Sequence, residues 1–290
     1  MRVSNYEQFG NATYQINMLQ QTLANKQQQI ATGKAFSRPS ENPLGTNQKM
    51  LVDQTYTRIE QFQKNITDAT DFLELNESTL ANADSVLQSS RDIALRAAND
   101  TYDASNIATF VKELDQNIQQ LVSLGNTKHL GKYIYSGEMT QTEPFTYDGT
   151  TLTYNGDSTS TKFKVSNSLE TTVMDPGNKV LQGAIQALID LKNQVATGDT
   201  TNIENGLTSF DTKRDKVIDM RSEIGTRLTT VQSLNDIYEN TKITLDAKKE
   251  EIQGIDLTKT ILEFQQTQQL YQGAVQATLK VMNTSILNYM

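Results

Sequence analysis

Residues 59–97 read IEQFQKNITDATDFLELNESTLANADSVLQSSRDIALRA and carry the clearest structural signal in the chain. Apolar and small residues recur there at alternate steps of three and four, the spacing of one face of an α-helix. Neither glycine nor proline occurs between Thr46 and Leu124, so no residue of that kind interrupts a helix. The stretch therefore predicts a long helix. The stripe, which includes two polar residues, consists of Ile59, Phe62, Ile66, Ala69, Leu73, Asn76, Leu80, Ala83, Leu87, Ser90, Ala94 and Ala97.

The stripe breaks around Asn99-Asp100-Thr101 and resumes at Ile107, ending near Gly125. This predicts a shorter helix that returns antiparallel to the first. Its apolar positions are Ile107, Val111, Leu114, Ile118 and Leu121.

The second half of the chain has the same helical periodicity. One helix is predicted before the stop signal Thr197-Gly198-Asp199, and a much longer one after it. Arg214 and Arg221 stand at intervening positions of the longer stripe. An apolar stripe this narrow suits a helix in a rod or bundle, where most of the helix surface is exposed to solvent. The apolar positions are Leu181, Ala184, Leu188, Leu191 and Val195, then Ile203, Leu207, Phe210, Val217, Ile224, Leu228, Val231, Tyr238, Leu245 and Ile252.

Both ends of the chain carry single amphipathic helical patterns, near residues 9–30 and 257–289. Isolated helices of this kind are marginal in water and need a partner surface. We therefore expect the two ends to pair antiparallel with each other and with neighbouring subunits, whereas the inner stripes favour one intramolecular bundle. The residues predicted to make the subunit contacts are Ile16, Leu19, Leu23, Ile30, Ile261, Phe264, Tyr271, Val275, Met282 and Ile286.

The middle of the chain has a different pattern. Residues 145–154, FTYDGTTLTY, alternate around Asp148-Gly149, which is a hairpin signature. Asn155-Gly156 predicts another turn, and Tyr133-Ile134-Tyr135 is β-prone. The predicted fold is mainly α, an elongated rod or bundle of long antiparallel helices with a small inserted β-rich domain.

These patterns predict three domains and one joint between them. Pro39 and Pro43 lie close together in FSRPSENPLG. We expect this loop, through Arg38, Pro39 and Pro43, to be an ordered joint between the terminal helices and the rod. The predicted domains are 1–43 with 255–290 for polymerisation, 44–129 with 177–254 for the helical rod, and 130–176 for the β-rich insertion.

Composition excludes several classes of function. Hydrophobic residues make up 36% of the 290 residues, a low share that predicts a thin core. The net charge of −8 opposes binding to nucleic acid or to an anionic membrane. The chain has no Cys and one His, His129, at a predicted helix end, where a structural role is favoured over catalysis. We therefore predict no enzymatic activity, no cofactor and no metal site. The opening MRVSNYEQFGNATYQ also lacks the apolar region of a cleaved signal peptide.

Several motifs, in order along the chain, resemble the flagellin superfamily, and within it the branch of hook–filament junction proteins. The first 43 residues resemble the N-terminus of that branch, including its Arg-Pro-Ser-acidic-x-Pro element at 38–43. Residues 133–137, YIYSG, resemble its aromatic-Ser-Gly element, and 221–228, RSEIGTRL, resemble its Arg-x-x-aliphatic-Gly-x-Arg-aliphatic element. The tail from 256 to 290 is similar to the C-terminal helix of flagellins.

The resemblance implies a structural subunit of the bacterial flagellum that is exported through the flagellar type III channel without signal cleavage. It implies a ring of copies of the chain between the other junction protein and flagellin, and an export chaperone that binds the C-terminal helical region. Two alternatives stay open: a flagellin or minor filament subunit, and a secreted coiled-coil adaptor unrelated to flagella.

Overall fold

The computed structural model describes residues 2–98 and 104–287, and the prediction of a mainly α fold with a small β-rich insertion is confirmed. The chain forms two compact units, one of residues 1–58 with 241–290 and one of residues 59–240. The three-domain division stays a prediction. The helices are α1 (Arg2–Thr32), α2 (Pro43–Ala97), α3 (Ala104–Gly125), α4 (Gly177–Val180), α5 (Gln182–Thr197), α6 (Thr200–Gln253) and α7 (Leu257–Leu287).

The core of the 59–240 unit follows the predicted stripes. All twelve stripe positions between Ile59 and Ala97 are buried. Both polar members are buried, and each donates one hydrogen bond: Asn76 Nδ2 donates to Val173 O at 2.9 Å, and Ser90 Oγ donates to Val86 O at 2.8 Å. The predicted break at 99–101 lies outside the described residues.

Side-chain contacts in this unit set the direction of the helices. Asn117 Nδ2 donates to Ser90 Oγ at 2.9 Å, and Arg96 pairs with Glu113 at 3.5 Å, so α3 runs antiparallel to α2. Helix α5 ends where predicted, with Gly198 as a left-handed cap at φ 69°.

The β-rich region consists of three antiparallel pairs. They are β1 (Lys128–His129) with β2 (Lys132–Tyr133), β3 (Phe145–Tyr147) with β4 (Leu152–Tyr154), and β5 (Thr161–Lys164) with β6 (Glu170–Met174). The 145–154 hairpin has the predicted turn, in which Asp148 Oδ1 accepts from the backbone N–H groups of Thr150 and Thr151 at 2.9 and 2.7 Å.

Two local expectations differ from the structure. Helix α3 ends at Gly125, so His129 lies in β1 and not at a helix end. Its ring packs edge-on against Phe72, with centroids 4.6 Å apart. Only Tyr133 of the β-prone 133–135 stretch is in a strand. The chain turns after Tyr133, and Ile134 and Tyr135 are buried in the core.

Candidate assembly surface

Helices α1 and α7 pack against each other within the unit of residues 1–58 and 241–290. The end of α1 lies beside the start of α7, because Lys34 and Gly254 form an antiparallel bridge just outside the two helices. The helices therefore run antiparallel, which is the intramolecular pairing expected for the ends of the chain.

The predicted contact residues fall into three groups. Half-buried positions on the facing sides are Ile16, Leu19, Leu23, Ile30, Phe264, Tyr271 and Val275. Ile261 is 37% exposed, because the α1-facing stripe of α7 passes through Thr260 and Thr267 instead. The side chains of Met282 and Ile286 lie outside the described residues. The role of all ten in contacts between subunits stays a prediction.

An ion pair lies at the edge of this helix pair. Lys26 Nζ is 2.5 Å from Glu263 Oε2, and this lysine holds the pKa of Glu263 below its ordinary value. Both side chains are partly exposed, so the pair helps to set the register of the helices more than it stabilises them.

Several apolar side chains of α1 and α7 do not face the intramolecular partner. Leu270 is 63% exposed and Tyr14 is 66% exposed. Leu270 lines a shallow groove on α7 together with Gln266, Gln269, Gly273, Ala274 and Ala277. The sequence reasoning followed one stripe on each helix, which included Phe9 and Leu257, and missed the exposed apolar residues off that stripe, such as Tyr14 and Leu270. Other large apolar side chains exposed on the two helices are Phe9, Met18, Leu257, Leu262 and Leu279.

The predicted joint is an ordered turn followed by a helix cap. The backbone N–H of Glu41 donates to Arg38 O at 3.0 Å, so residues 38–41 form a turn with Pro39 at its favoured second position. The predicted loop ran to Gly45, but α2 already begins at Pro43, the first helical position that proline suits. Asn42 caps the helix, since its Oδ1 accepts from Gly45 N–H at 2.9 Å.

The joint is also tied to the linker between α6 and α7. Ala35 N–H donates to Gln253 O at 2.7 Å, and Gln253 Nε2 donates to Phe36 O at 2.6 Å. Both Phe36 and Gln253 are buried. A Cβ on Gly45 would lie 2.9 Å from Phe36 Cζ, so only glycine fits there without a shift. The segments before α2 and before α7 are thus held as one structure.

Acid is expected to weaken this unit. Glu41 Oε2 accepts from the backbone N–H groups of Ser37 and Arg38 at 2.7 and 3.3 Å, and these bonds lower the pKa of Glu41, as Lys26 lowers that of Glu263. Because folding lowers the pKa of both carboxyl groups, their ionised forms stabilise the folded unit at pH values above the unfolded-state pKa of about 4.3. This stabilisation is lost as the pH falls through the lower pKa values of the folded state.

Circular dichroism of the whole chain during acid titration checks this expectation. In a Glu41→Gln, Glu263→Gln double variant, the helical signal should depend less on pH below about 4.3. An acid profile identical to that of the unchanged chain would contradict the assignment.

The arginine motif at 221–228 ties α6 to other elements of the 59–240 unit. Arg221 Nη2 lies 2.8 Å from Glu77 of α2, and Arg227 Nη1 lies 2.6 Å from Asp175, just beyond β6. Two further pairs, Arg214–Asp84 and Arg91–Asp211, both at 2.8 Å, connect α2 with α6. Since residue numbers rise on α6 as they fall on α2, the two helices are antiparallel.

Across the described ranges 2–98 and 104–287, no three His, Asp or Glu side chains are grouped so as to hold a metal ion. None of the helices in that part of the chain is both long and apolar enough to cross a membrane.

Comparison with protein families assigns the class. The model described as the bacterial flagellin N-terminal helical region matches residues 3–140, and that of the bacterial flagellin C-terminal helical region matches residues 207–290. Together they include the terminal helices, most of α6 and the whole of α2 and α3. The chain belongs to the bacterial flagellin family.

Individual relatives point to one branch of that family. Flagellar hook-associated protein 3 of Escherichia coli (strain K12) is 24% identical over 294 residues, which cover 89% of this chain and 90% of the relative. A putative flagellar hook-associated protein from Vibrio parahaemolyticus has the same fold, with a TM-score of 0.67, 19% identity, and coverage of 74% of this chain and 100% of the other. Bacillus cereus FlgL gives a TM-score of 0.61, 25% identity, and coverage of 69% and 99%. The resemblance inferred from the sequence to this branch is confirmed.

Proposed function

We propose that this protein is a structural subunit of the bacterial flagellum that forms the junction between the hook and the flagellin filament. The proposal rests above all on the terminal helices. They pair with each other, yet expose apolar side chains such as Tyr14 and Leu270. Exposed apolar surface of this kind marks an interaction site. The curated relatives are named as hook-associated proteins of the flagellum, which supports a place at the hook.

The assembled form is a ring in which the α1–α7 pair of one subunit contacts the pairs of its neighbours. Residues already half-buried within a subunit, such as Leu23 and Phe264, lose further exposure when neighbours are added. Each fully buried apolar side chain contributes about 1.5–3 kcal/mol, so a few contacts offset the cost of ordering the ends.

The partners that follow are flagellin on one side and the other junction protein on the opposite side. An export chaperone is expected to bind the C-terminal helical region before assembly. The protein is then located outside the cell, in the flagellum, after export without a cleaved signal peptide. Its role is mechanical connection and not catalysis.

Deletion of the gene in its native bacterium tests the proposal. Electron microscopy should show bare hooks, and flagellin should appear in the medium, because export continues but the filament has no anchor. Filaments of normal number and attachment would overturn the proposal and favour a dispensable filament subunit or an unrelated adaptor. Bare hooks without secreted flagellin would also overturn it, in favour of a role in export.

The joint gives a more specific expectation. Replacement of both Pro39 and Pro43 by alanine should reduce filament attachment more than it reduces thermal stability. Each proline lies where the backbone already suits it, so its loss costs only about 0.4–1 kcal/mol through the unfolded state. Thermal melting and shear-resistant filament counts measure the two effects. Equal relative losses in both would contradict a role for the joint in assembly.

A further inference from the structure

The hairpin of β1 and β2 has an unusual residue at its tip. His129 pairs with Lys132, so Leu130 and Gly131 form a two-residue turn. Both have positive φ, 49° and 79°, as the common two-residue hairpin turn requires. Leu130 is the one non-glycine residue with positive φ in the described part of the chain.

Leucine is unfavourable at this position for two independent reasons. The left-handed conformation brings its Cβ close to the backbone, which is why Gly, Asn and Asp are preferred in such turns. The side chain is also 87% exposed, the most exposed of the large apolar residues in the described chain. Folding of the subunit gains nothing from this apolar side chain. A strained residue that the fold does not use points to a role in binding.

Contacts at the base of the β1–β2 hairpin hold its tip in place. The His129 ring packs on Phe72 of α2, and Lys128 Nζ lies 4.4 Å from the centre of the Tyr133 ring. Ile134 N–H donates to Thr127 O at 3.2 Å across the base of the hairpin. Leu130 is therefore presented on an anchored support, which lowers the entropy cost of docking it.

Charge on the hairpin indicates what it contacts. Lys128 and Lys132 flank the tip, and both are exposed. The chain has 34 acidic and 26 basic residues and a net charge of −8, so a second copy of the same protein carries an excess of acidic side chains that a basic tip can contact.

We propose that Leu130 is a docking knob that inserts into an apolar depression with an acidic rim on the neighbouring copy of this chain. This contact rests on the proposed ring assembly. It involves the 59–240 unit and is separate from the contacts of the terminal helices.

Replacement of Leu130 tests the proposal, because strain and docking change in opposite directions. Leu130→Asn suits the left-handed turn, so the melting temperature of the purified protein should rise, by up to about 4 °C. The same variant should reduce the number of shear-resistant filaments severalfold in cells that lack the native gene. Leu130→Met keeps an apolar tip and should retain filament attachment. Met139→Asn, which alters another exposed apolar side chain of the same unit, is the matched control and should behave like the unchanged protein.

Cross-linking identifies the occupant. The chain contains no cysteine, so Leu130→Cys offers a single thiol for a maleimide photo-cross-linker. In isolated hook–filament complexes the expected adduct contains two copies of this chain. An adduct with another flagellar protein, or none, would overturn the proposal.

The failures of the two proposals are distinguishable. If deletion of the gene leaves filaments attached, the junction function is overturned, and the Leu130 contact that rests on it is overturned too. If the unchanged gene restores attachment and Leu130→Asn restores it equally well, only the docking knob is overturned.

Discussion

Phe264→Asp and Leu270→Asp are both expected to leave cells with bare hooks, but only the first should weaken the free subunit. Phe264 is half-buried in the α1–α7 pair, whereas Leu270 is 63% exposed and lies in the groove on another side of α7. An aspartate at position 264 removes apolar burial worth up to about 3 kcal/mol and places a charge in the helix pair. At position 270 the same charge is solvated in the monomer and becomes buried only when a neighbour covers the groove.

Circular dichroism, thermal melting and electron microscopy separate these effects. Phe264→Asp should lower the helical signal of the purified protein without changing the melting of residues 59–240. Leu270→Asp should leave the helical signal and the melting of residues 59–240 unchanged. Gln265→Asp adds the same charge at an exposed position of the same helix and is the matched control. Normal filaments in cells with Leu270→Asp would show that the groove is not a contact between subunits.

Phe145→Ala is expected to be among the most destabilising substitutions in the 59–240 unit. Phe145 is fully buried, its ring centroid lies 5.2 Å from that of Tyr154, and its ring fills the space above two glycines. The loss of a buried phenylalanine costs about 3–5 kcal/mol. Urea or thermal unfolding measures this, with Thr153→Ala, an exposed neighbour on β4, as a control that should change stability by less than about 0.5 kcal/mol.

A double-mutant cycle shows whether the glycines are required by this ring. A Cβ on Gly177 would lie 2.5 Å from Phe145 Cζ, so Gly177→Ala should cost about 1–3 kcal/mol by overpacking. In the Phe145→Ala background the added methyl enters the vacated space, so the same change should cost much less. Additive losses would show that Gly177 is constrained by something other than the ring.

The long helices could be predicted from the sequence because their burial follows local spacing. Every stripe position from Ile59 to Ala97 is buried, including Asn76 and Ser90, which the spacing placed in the stripe despite their polarity. The 145–154 hairpin was equally predictable, because its turn is formed by four consecutive residues, 148–151, and held by Asp148. The antiparallel pairing of the two ends followed from their isolated amphipathic patterns.

Contacts between distant residues could not be read in this way. The arginines at 214 and 221 interrupt the α6 stripe, and only the structure shows that they pair with Asp84 and Glu77 of α2. The joint also depends on a distant contact. Its prolines and turn residues could be identified in the sequence, but the buried amide of Gln253, which donates to Phe36 O, lies more than 200 residues away.

Composition and periodicity by themselves determined the helical character of this protein, the place of its β-rich insertion and the amphipathic ends, because each depends on residues within a few positions of one another. The tertiary structure alone decided which side of each terminal helix is covered within the subunit and which remains exposed. It also decided why Gly125 and Gly177 must be glycines, since both adjoin one phenylalanine ring. Such features depend on the packing of segments that are remote in the chain, and local spacing contains no information about which segments meet.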